Sequence, residues 1–85
     1  MKRGYNELKL EALGTFEGRG WLSPPAWAVL ARVYPVRAAY SYLKQCLWRW
    51  KLLERRLDAR GLILYRLSKK GGERLAWLRE QRREK

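Results

Sequence analysis

Three arginines, Arg55, Arg56 and Arg60, lie around a stretch whose composition predicts a turn. A guanidinium group donates paired hydrogen bonds to phosphate or to the edge of guanine, so arginines at a turn are typical of contacts to a nucleic acid. Arg60 at the tip and Arg56 beside it are therefore candidate contacts to phosphates or to a minor groove. Charges on edge strands also protect sheets from aggregation, and this alternative stays open.

A second set of polar and basic side chains is spaced as on one side of a helix. Arg37, Ser41 and Lys44 share this side, and Tyr40 lies at its margin. Arg37 could bind guanine in a major groove, Tyr40 and Ser41 could donate to phosphates or base edges, and Lys44 reaches phosphate more easily than a base. The alternative is the solvated face of a structural helix, with Tyr40 in the core.

Residues suited to catalysis or metal binding are scarce. The chain has no His, and its single cysteine, Cys46, lies on a predicted buried stripe without a histidine to activate it. The 8 carboxylates are scattered, mostly near Lys or Arg at helical spacing, which is typical of surface ion pairs. Gly18-Arg19-Gly20 lacks the lysine and the spacing of a phosphate-binding loop. We expect no enzyme activity, cofactor, metal or small-molecule substrate.

Net charge limits the classes of partner. The chain has 20 Lys and Arg against 8 Asp and Glu, which gives a net charge of +12 and a pI near 10.6. Such a charge indicates a polyanion: DNA, RNA or anionic lipid. Between Arg37 and Arg60 seven residues are basic and two are acidic, which favours a local patch. A charge that only keeps the protein in solution is the alternative.

Length and hydropathy predict one domain over residues 1–85, with an ordered core at about 5–80 and a basic tail at 81–85. No apolar run approaches 18 residues and the N-terminus has no uninterrupted apolar segment, so neither a membrane span nor a signal peptide is expected. A single cysteine favours a reducing compartment. We therefore expect a cytoplasmic, nucleoid-associated protein.

The first half of the chain predicts two helices. Apolar spacing indicates a helix over residues 5–16, and Trp21-Leu22 suggests one strand-like rung. Ser23 is a good N-cap and is followed by two prolines, so a second helix is expected from Pro24 to about Val33. Its inward side chains are expected to be Trp27, Leu30 and Ala31.

The second half predicts a helix, a hairpin and a helix. After Tyr34-Pro35 interrupts the second helix, a third is expected over 35–50. Arms at 52–57 and 62–67 enclose a turn at 58–61, where Gly61 accepts positive φ and Asp58 favours turns. Ser68 can cap a last helix over 69–83, whose first turn Gly71 and Gly72 weaken. The buried stripe of the third helix is expected to contain Ala39, Leu43, Cys46, Leu47 and Trp50.

Tryptophans at core spacing are expected to be structural: Trp27, Trp50 and Trp77. Trp48 projects from the other side of the third helix. It could stack on unpaired bases or pack against the first helix.

Three stretches give the chain a likeness to a known family. Leu22-Ser23-Pro24 precedes an apolar helix, residues 40–47 read YSYLKQCL, and residues 64–75 read LYRLSKKGGERL. In order and spacing they resemble the MarR- and PadR-type transcription regulators. The resemblance covers about residues 8–80 and implies an α+β winged helix-turn-helix. It places the base-reading positions at Val36, Arg37, Tyr40, Ser41 and Lys44.

The sequence departs from that family's pattern at three places. Arg32 stands where the turn between the second and third helices usually has glycine. Tyr34-Pro35 replaces the usual Ser or Thr cap, and Lys51 replaces a glycine before the first arm of the hairpin.

Together these features predict sequence-specific binding to double-stranded DNA by a small transcription regulator, with helix 35–50 in the major groove and wing 58–61 on the backbone or minor groove. The alternatives are a winged-helix module that binds RNA or a protein partner, a purely structural domain, and binding to a membrane surface. A homodimer through the first and last helices is expected, with Tyr5, Leu8, Leu75, Trp77 and Leu78 as its apolar residues. These five could instead close the core of the monomer.

Overall fold

The computed structural model describes residues 5–83, with side-chain positions for residues 7–81. The chain forms a winged helix-turn-helix, as the sequence predicts: three helices, a two-stranded hairpin and a C-terminal helix. Within the described part of the chain, no helix is long and apolar enough to cross a bilayer. The elements are α1 (Tyr5–Gly14), α2 (Pro24–Ala31), α3 (Val36–Ser41), a π-helical segment (Tyr42–Trp48), β1 (Leu53–Leu57), β2 (Ile63–Leu67) and α4 (Lys69–Arg83).

Trp27 of α2 lies in the core and is fully buried, which confirms its structural role. Its Nε1 donates a 3.1 Å hydrogen bond to the carbonyl oxygen of Ala12. Its ring stacks on those of Phe16 and Tyr42, with centroid distances of 6.3 and 6.0 Å. Because a buried indole needs an acceptor for its N–H, the bond to Ala12 ties α2 to α1.

The start of α2 follows the prediction, and its end comes two residues earlier. Ser23 Oγ accepts a 3.3 Å hydrogen bond from the backbone N–H of Ala26. The helix ends at Ala31 because Arg32 takes the left-handed conformation, with φ 58°. The prediction that Leu30 turns inward is wrong, since its side chain is 43% exposed. The side of α2 that faces the core carries Trp27 and Ala28, and the side chain of Leu30 lies next to that side, where solvent reaches it.

The third helix covers nearly the predicted range, but its second half is π-helical. Ala39, Leu43 and Leu47 are buried as expected. Cys46 is only half-buried. The prediction that Trp50 is buried is wrong, because it is 37% exposed. The helical segment ends at Trp48, two residues before Trp50. Its i→i+5 turns are wider than α-helical turns, so residues spaced for one side of an α-helix no longer lie on one side, and Trp50 does not face the core.

Positive φ values occur at both positions where the sequence replaces a family glycine. Arg32 ends α2 at φ 58°, and Lys51 has φ 64° just before β1. Arg32 and Lys51 thus take the left-handed conformation that glycine favours, although neither is glycine.

The hairpin matches its prediction within one residue at each end. β1 and β2 pair in antiparallel register from Leu53↔Leu67 to Leu57↔Ile63. The strand-like rung predicted at Trp21-Leu22 is present: Leu22 and Tyr65 exchange two backbone hydrogen bonds of 2.8 Å. This rung holds the middle of β2 beside the start of α2.

Ser68 connects the hairpin to α4. Its hydroxyl donates to the carbonyl oxygen of Lys51 at 2.6 Å and accepts from the N–H of Gly71 at 2.9 Å. Leu75 and Leu78 are each 3% exposed and belong to the core. The prediction that Trp77 is a core residue is wrong: it is 47% exposed, because it lies off the side of α4 that carries the two leucines.

An ion pair joins the turn that follows α1 to α4. Arg79 donates two hydrogen bonds to the Glu17 carboxylate, at 2.6 and 2.8 Å. Hydrogen bonding from this guanidinium lowers the pKa of Glu17. α4 continues to Arg83, and residues 84 and 85 of the predicted tail lie outside the described residues, as do residues 1–4.

Candidate nucleic-acid interface

The helices that could face a duplex come from a stretch without acidic residues. The sequence from Gly18 to Leu53 contains no Asp or Glu. Its basic residues are Arg19, Arg32, Arg37, Lys44, Arg49 and Lys51. The positive field of α2, α3 and the π-helical segment is therefore not offset by carboxylates of the same stretch.

The four predicted contact residues of the third helix are all exposed: Arg37, Tyr40, Ser41 and Lys44. Tyr40 is 46% exposed, so it is not a core residue. The i, i+3, i+4 spacing of Arg37, Tyr40 and Ser41 brings them to one side of α3, opposite buried Ala39, and Lys44 follows in the π-helical segment. The third helical stretch thus exposes one guanidinium, one ammonium and two hydroxyl groups.

The wing carries arginines on both of its faces. Because side chains alternate along a strand, Arg55 shares a face with Leu53, and Arg56 points to the opposite face. The guanidinium of Arg55 lies 3.9 Å from the ring centroid of Trp48, in the π-helical segment. Arg55 is thus the wing arginine that contacts the third helical stretch, through the ring of Trp48.

The opposite face of the wing holds a group that we name the tryptophan clamp: Trp21 with Arg56 and Arg66. The two guanidinium carbons lie 4.4 and 4.6 Å from the Trp21 ring. Arg66 Nε also donates a 2.8 Å hydrogen bond to Glu54. Stacking on an aromatic face holds a guanidinium plane while its N–H edge can still bond a phosphate.

The wing tip is a closed turn. Asp58 Oδ1 accepts hydrogen bonds from the backbone N–H groups of Arg60 and Leu62, at 2.8 and 2.9 Å. Gly61 donates to the Asp58 carbonyl oxygen at 3.0 Å and has φ 82°, which explains the glycine at this position. Arg60 is exposed at the tip. The Asp58 carboxylate thus shapes the turn, and the Arg60 guanidinium is exposed beside it.

Sequence reasoning missed three participants. It selected Arg56 and left out Arg55, Arg66 and Trp21. The signal that could have found Arg55 is the register: a residue opposite Tyr65, on the face of buried Leu53, must point toward the helices. Trp48, left open between projecting and packing, is half-buried under Arg55 and packs against the core.

Groups suited to metal binding do not come together in the described residues, where no cluster of three His, Cys, Asp or Glu side chains occurs. The site chemistry is that of hydrogen-bond donors and positive charge.

Two solved structures are similar to this chain over most of its length. One is the crystal structure of MepR, a transcription regulator of the Staphylococcus aureus multidrug efflux pump MepA; it has a TM-score of 0.75 and 19% identity over 91% of this chain. The other is Sso10a-2, a DNA-binding protein from Sulfolobus solfataricus, with a TM-score of 0.75 and 20% identity over 95% of this chain.

These likenesses establish the fold. The match spans 57% of the MepR chain and 80% of the Sso10a-2 chain. No family model matches the chain, and no curated protein does.

Proposed function

We propose that this protein binds double-stranded DNA, with residues 35–50, which include α3 and the π-helical segment, in the major groove and the wing turn, residues 58–61, on the backbone or minor groove. The observation that carries the proposal is the contact of Arg55 with Trp48, 3.9 Å from guanidinium to ring centroid, which holds an arginine of the wing against the helical stretch that carries Arg37 and Lys44. A helix fits a major groove, and a basic hairpin beside it meets the flanking phosphates.

Each exposed residue of the helix has a role that its chemistry suits. Arg37, near the helix start, binds guanine through two parallel hydrogen bonds. Tyr40 and Ser41 donate hydroxyl hydrogen bonds to phosphates or base edges. Lys44 neutralises a phosphate.

The wing arginines act on the backbone. Arg60 projects from the tip, and Arg56 is held over Trp21, from which its N–H groups can reach a phosphate. These contacts set affinity and register, while the helix reads sequence.

Sequence-specific binding of this kind suits a small transcription regulator. The two structural neighbours support this, since one is described as a transcription regulator and the other as a DNA-binding protein. Such a protein acts where the DNA is, so we place it in the cytoplasm, on the nucleoid.

We also propose a homodimer through α1 and α4, which would match two half-sites on a duplex. Leu75 and Leu78 are buried in their own subunit, so they do not contribute. Leu8 and Trp77, 36% and 47% exposed, remain as apolar contacts, and the side chain of Tyr5 lies outside the described positions. Sedimentation velocity should show a dimer, and Trp77→Ala should shift it toward monomer, with Val29→Ala on α2 as the control.

The test of DNA binding begins with selection of a preferred site from a random duplex library. Fluorescence anisotropy with the selected duplex should then give log K falling with log salt at a slope of about −5, if roughly six phosphates are bound. The duplex should outcompete an RNA hairpin and a single strand of the same sequence. Stronger binding to either RNA or single strand would overturn the proposal.

Three alanine variants assign the contacts. Arg37→Ala should lose about 1–3 kcal/mol on the selected duplex and relax its base preference, and Lys44→Ala should reduce the salt slope by about 1. Arg74→Ala removes the same charge from α4, where its guanidinium lies over Trp77, and should change affinity little. Equal losses in all three would mean that net charge alone, without a located interface, drives binding.

A further inference from the structure

A cleft of about 300 Å³ lies between α1, the residues just before β1 and the first half of α4. Its walls combine three cationic side chains, one indole and one aliphatic side chain: Lys9, Lys70, Arg74, Trp50 and Leu52. None of the described residues that line it is acidic. The five residues come from three separate stretches of the chain, so their meeting cannot be predicted from spacing in the sequence.

Lys9 and Trp50 lie against each other in the wall of the cleft. Lys9 is only 9% exposed, and its Nζ lies 4.3 Å from the centroid of the Trp50 ring. Trp50 keeps part of its surface open to solvent, and Leu52 beside it is buried. The cleft thus has a flat apolar wall with a positive charge next to it, which suits a ring that carries an anionic group.

α4 supplies the other two cations. Lys70 and Arg74 are exposed and lie one turn apart, and neither pairs with a carboxylate among the described residues. The first turn of α4 contains no acidic residue, so Lys70 lies near the positive end of the helix dipole without a negative charge in the same turn. An anion between Lys70 and Arg74 would offset both the side-chain charges and the dipole.

The cleft lies away from the residues proposed to read DNA. Trp50 follows the end of the third helical stretch, whereas Arg37 is near its start. Leu52 precedes β1, and the wing turn begins at Asp58, about 20 Å away along an extended strand. A ligand in the cleft therefore occupies a separate site, and its binding neither requires nor follows from binding to a duplex.

We infer that the cleft binds a small phosphorylated ligand with a flat ring, of the class of a nucleoside monophosphate. The phosphate lies between Lys70 and Arg74, where it accepts charge-assisted hydrogen bonds, and the ring rests against Trp50. A phosphate group carries nearly two negative charges at neutral pH, which matches several cations better than the single charge of a carboxylate does. A volume of about 300 Å³ is at the lower end for small-molecule pockets, so the cleft suits one nucleotide better than a strand.

Calorimetric titration of the wild-type protein with three probes tests the ligand class. The probes are adenosine monophosphate, adenosine, which has the ring without the phosphate, and inorganic phosphate, which has no ring. The monophosphate should bind at least about tenfold more tightly than either fragment, because it contacts both the cations and the indole. In NMR spectra it should shift the indole N–H signal of Trp50, which Trp50→Phe identifies, and leave that of buried Trp27 in place.

Lys70→Ala and Lys69→Ala form a matched pair of variants. Each removes one exposed lysine from the first turn of α4, but only Lys70 lines the cleft. Lys70→Ala should weaken binding of the monophosphate about fivefold to tenfold and leave that of adenosine unchanged, whereas Lys69→Ala should bind both as wild type does. Arg74→Ala should resemble Lys70→Ala. Thermal melting of each variant establishes that the fold is kept.

Four results would overturn the inference. Equal losses in Lys70→Ala and Lys69→Ala would show that net charge alone attracts the phosphate. Inorganic phosphate that binds as tightly as the monophosphate would show that the ring contributes nothing, and a wild-type protein that binds no monophosphate at millimolar concentration would remove the site. A short single strand that binds more tightly than the monophosphate, with the same loss in Lys70→Ala, would assign the cleft to nucleic acid.

The same variants separate this site from the proposed function. Lys70→Ala should keep the duplex affinity of the wild type in anisotropy, because Lys70 lies outside the third helical stretch and the wing turn. A protein that binds the monophosphate but no duplex would refute the proposed function and leave the cleft intact. A protein that binds the duplex but not the monophosphate would do the reverse.

Discussion

Replacing Gly71 by alanine tests how closely α4 approaches the base of the wing. An added Cβ would overlap the carbonyl oxygen of Leu52, with the carbonyl carbon of Leu52 at 2.9 Å and a methyl group of Leu67 at 3.3 Å. Backbone cannot move aside as a flexible side chain can, so the first turn of α4 would have to shift. Forced contacts of this kind destabilise by about 1–3 kcal/mol, and the overlap with backbone points to the upper part of that range.

Gly72→Ala is the matched control, because the next residue is also helical and an added Cβ there meets nothing within 4 Å. It should stabilise by about 0.5–1 kcal/mol through the higher helix propensity of alanine. For a domain of this size 1 kcal/mol is about 4–8 °C in Tm. Thermal melts should therefore move in opposite directions, down by about 8–20 °C for Gly71→Ala and up by a few degrees for Gly72→Ala. Equal Tm values for the two variants would show that Gly71 does not touch Leu52.

Three further predictions concern the wing and the α1–α4 contact. Trp21→Ala dismantles the tryptophan clamp without removing charge, so duplex affinity in anisotropy should fall about fivefold while Trp21→Phe retains it; equal affinities would mean that stacking contributes nothing. Asp58→Ala removes the acceptor of two turn N–H groups and should lower stability by about 0.5–1.5 kcal/mol in chemical denaturation, whereas Asp58→Asn should recover most of it. Hydrogen bonds from Arg79 lower the pKa of Glu17 below its ordinary 4.5, so this contact stabilises the fold above pH 4.5 and its contribution disappears as pH falls through the lowered pKa of the folded state. NMR titration of the Glu17 carboxyl carbon should show that pKa return toward 4.5 in Arg79→Gln, and an unchanged titration would contradict the assignment.

Local signals were enough to predict most of the fold. Ser23 and Ser68 cap the helices that follow them, and the hairpin arms end within one residue of their predicted limits. These features depend on neighbours in sequence, where turn and cap chemistry decide the conformation. The rung at Leu22 was also visible, although its partner, Tyr65, is distant in sequence.

Features that depend on tertiary context were predicted poorly. Trp50 and Trp77 have core spacing but lie outside the core, because a π-helical turn shifts the phase of one and the other falls beside the two core leucines of α4. Sequence reasoning assigned Gly71 only the role of a weak helix former. The residue at position 71 must lack a Cβ because the backbone of Leu52 lies against it, and this contact with a distant part of the chain cannot be predicted from the residues around Gly71.

The candidate site divides in the same way. Exposure of the contact residues on the third helix followed from helical spacing, whereas the partner of each wing arginine required the register of the hairpin. Because side chains alternate along a strand, Arg55 and Arg56 must point to opposite faces of the hairpin. Only the pairing of Arg55 with buried Tyr65 reveals that Arg55 is the one that points to the helices. Their roles in binding remain predictions for the variants described above.

The rings of Trp48 and Trp21 hold the wing arginines in a way that suits a polyanionic partner. A carboxylate would hold a guanidinium equally well, but it would repel each approaching phosphate. An indole face attracts the guanidinium through its quadrupole and carries no net charge. Arg55 over Trp48 and Arg56 over Trp21 are therefore positioned without loss of positive charge, whereas the charge of Arg66 is partly offset by Glu54. The physical consequence is that Arg55 and Arg56 should contribute more to the salt dependence of duplex binding than Arg66 does.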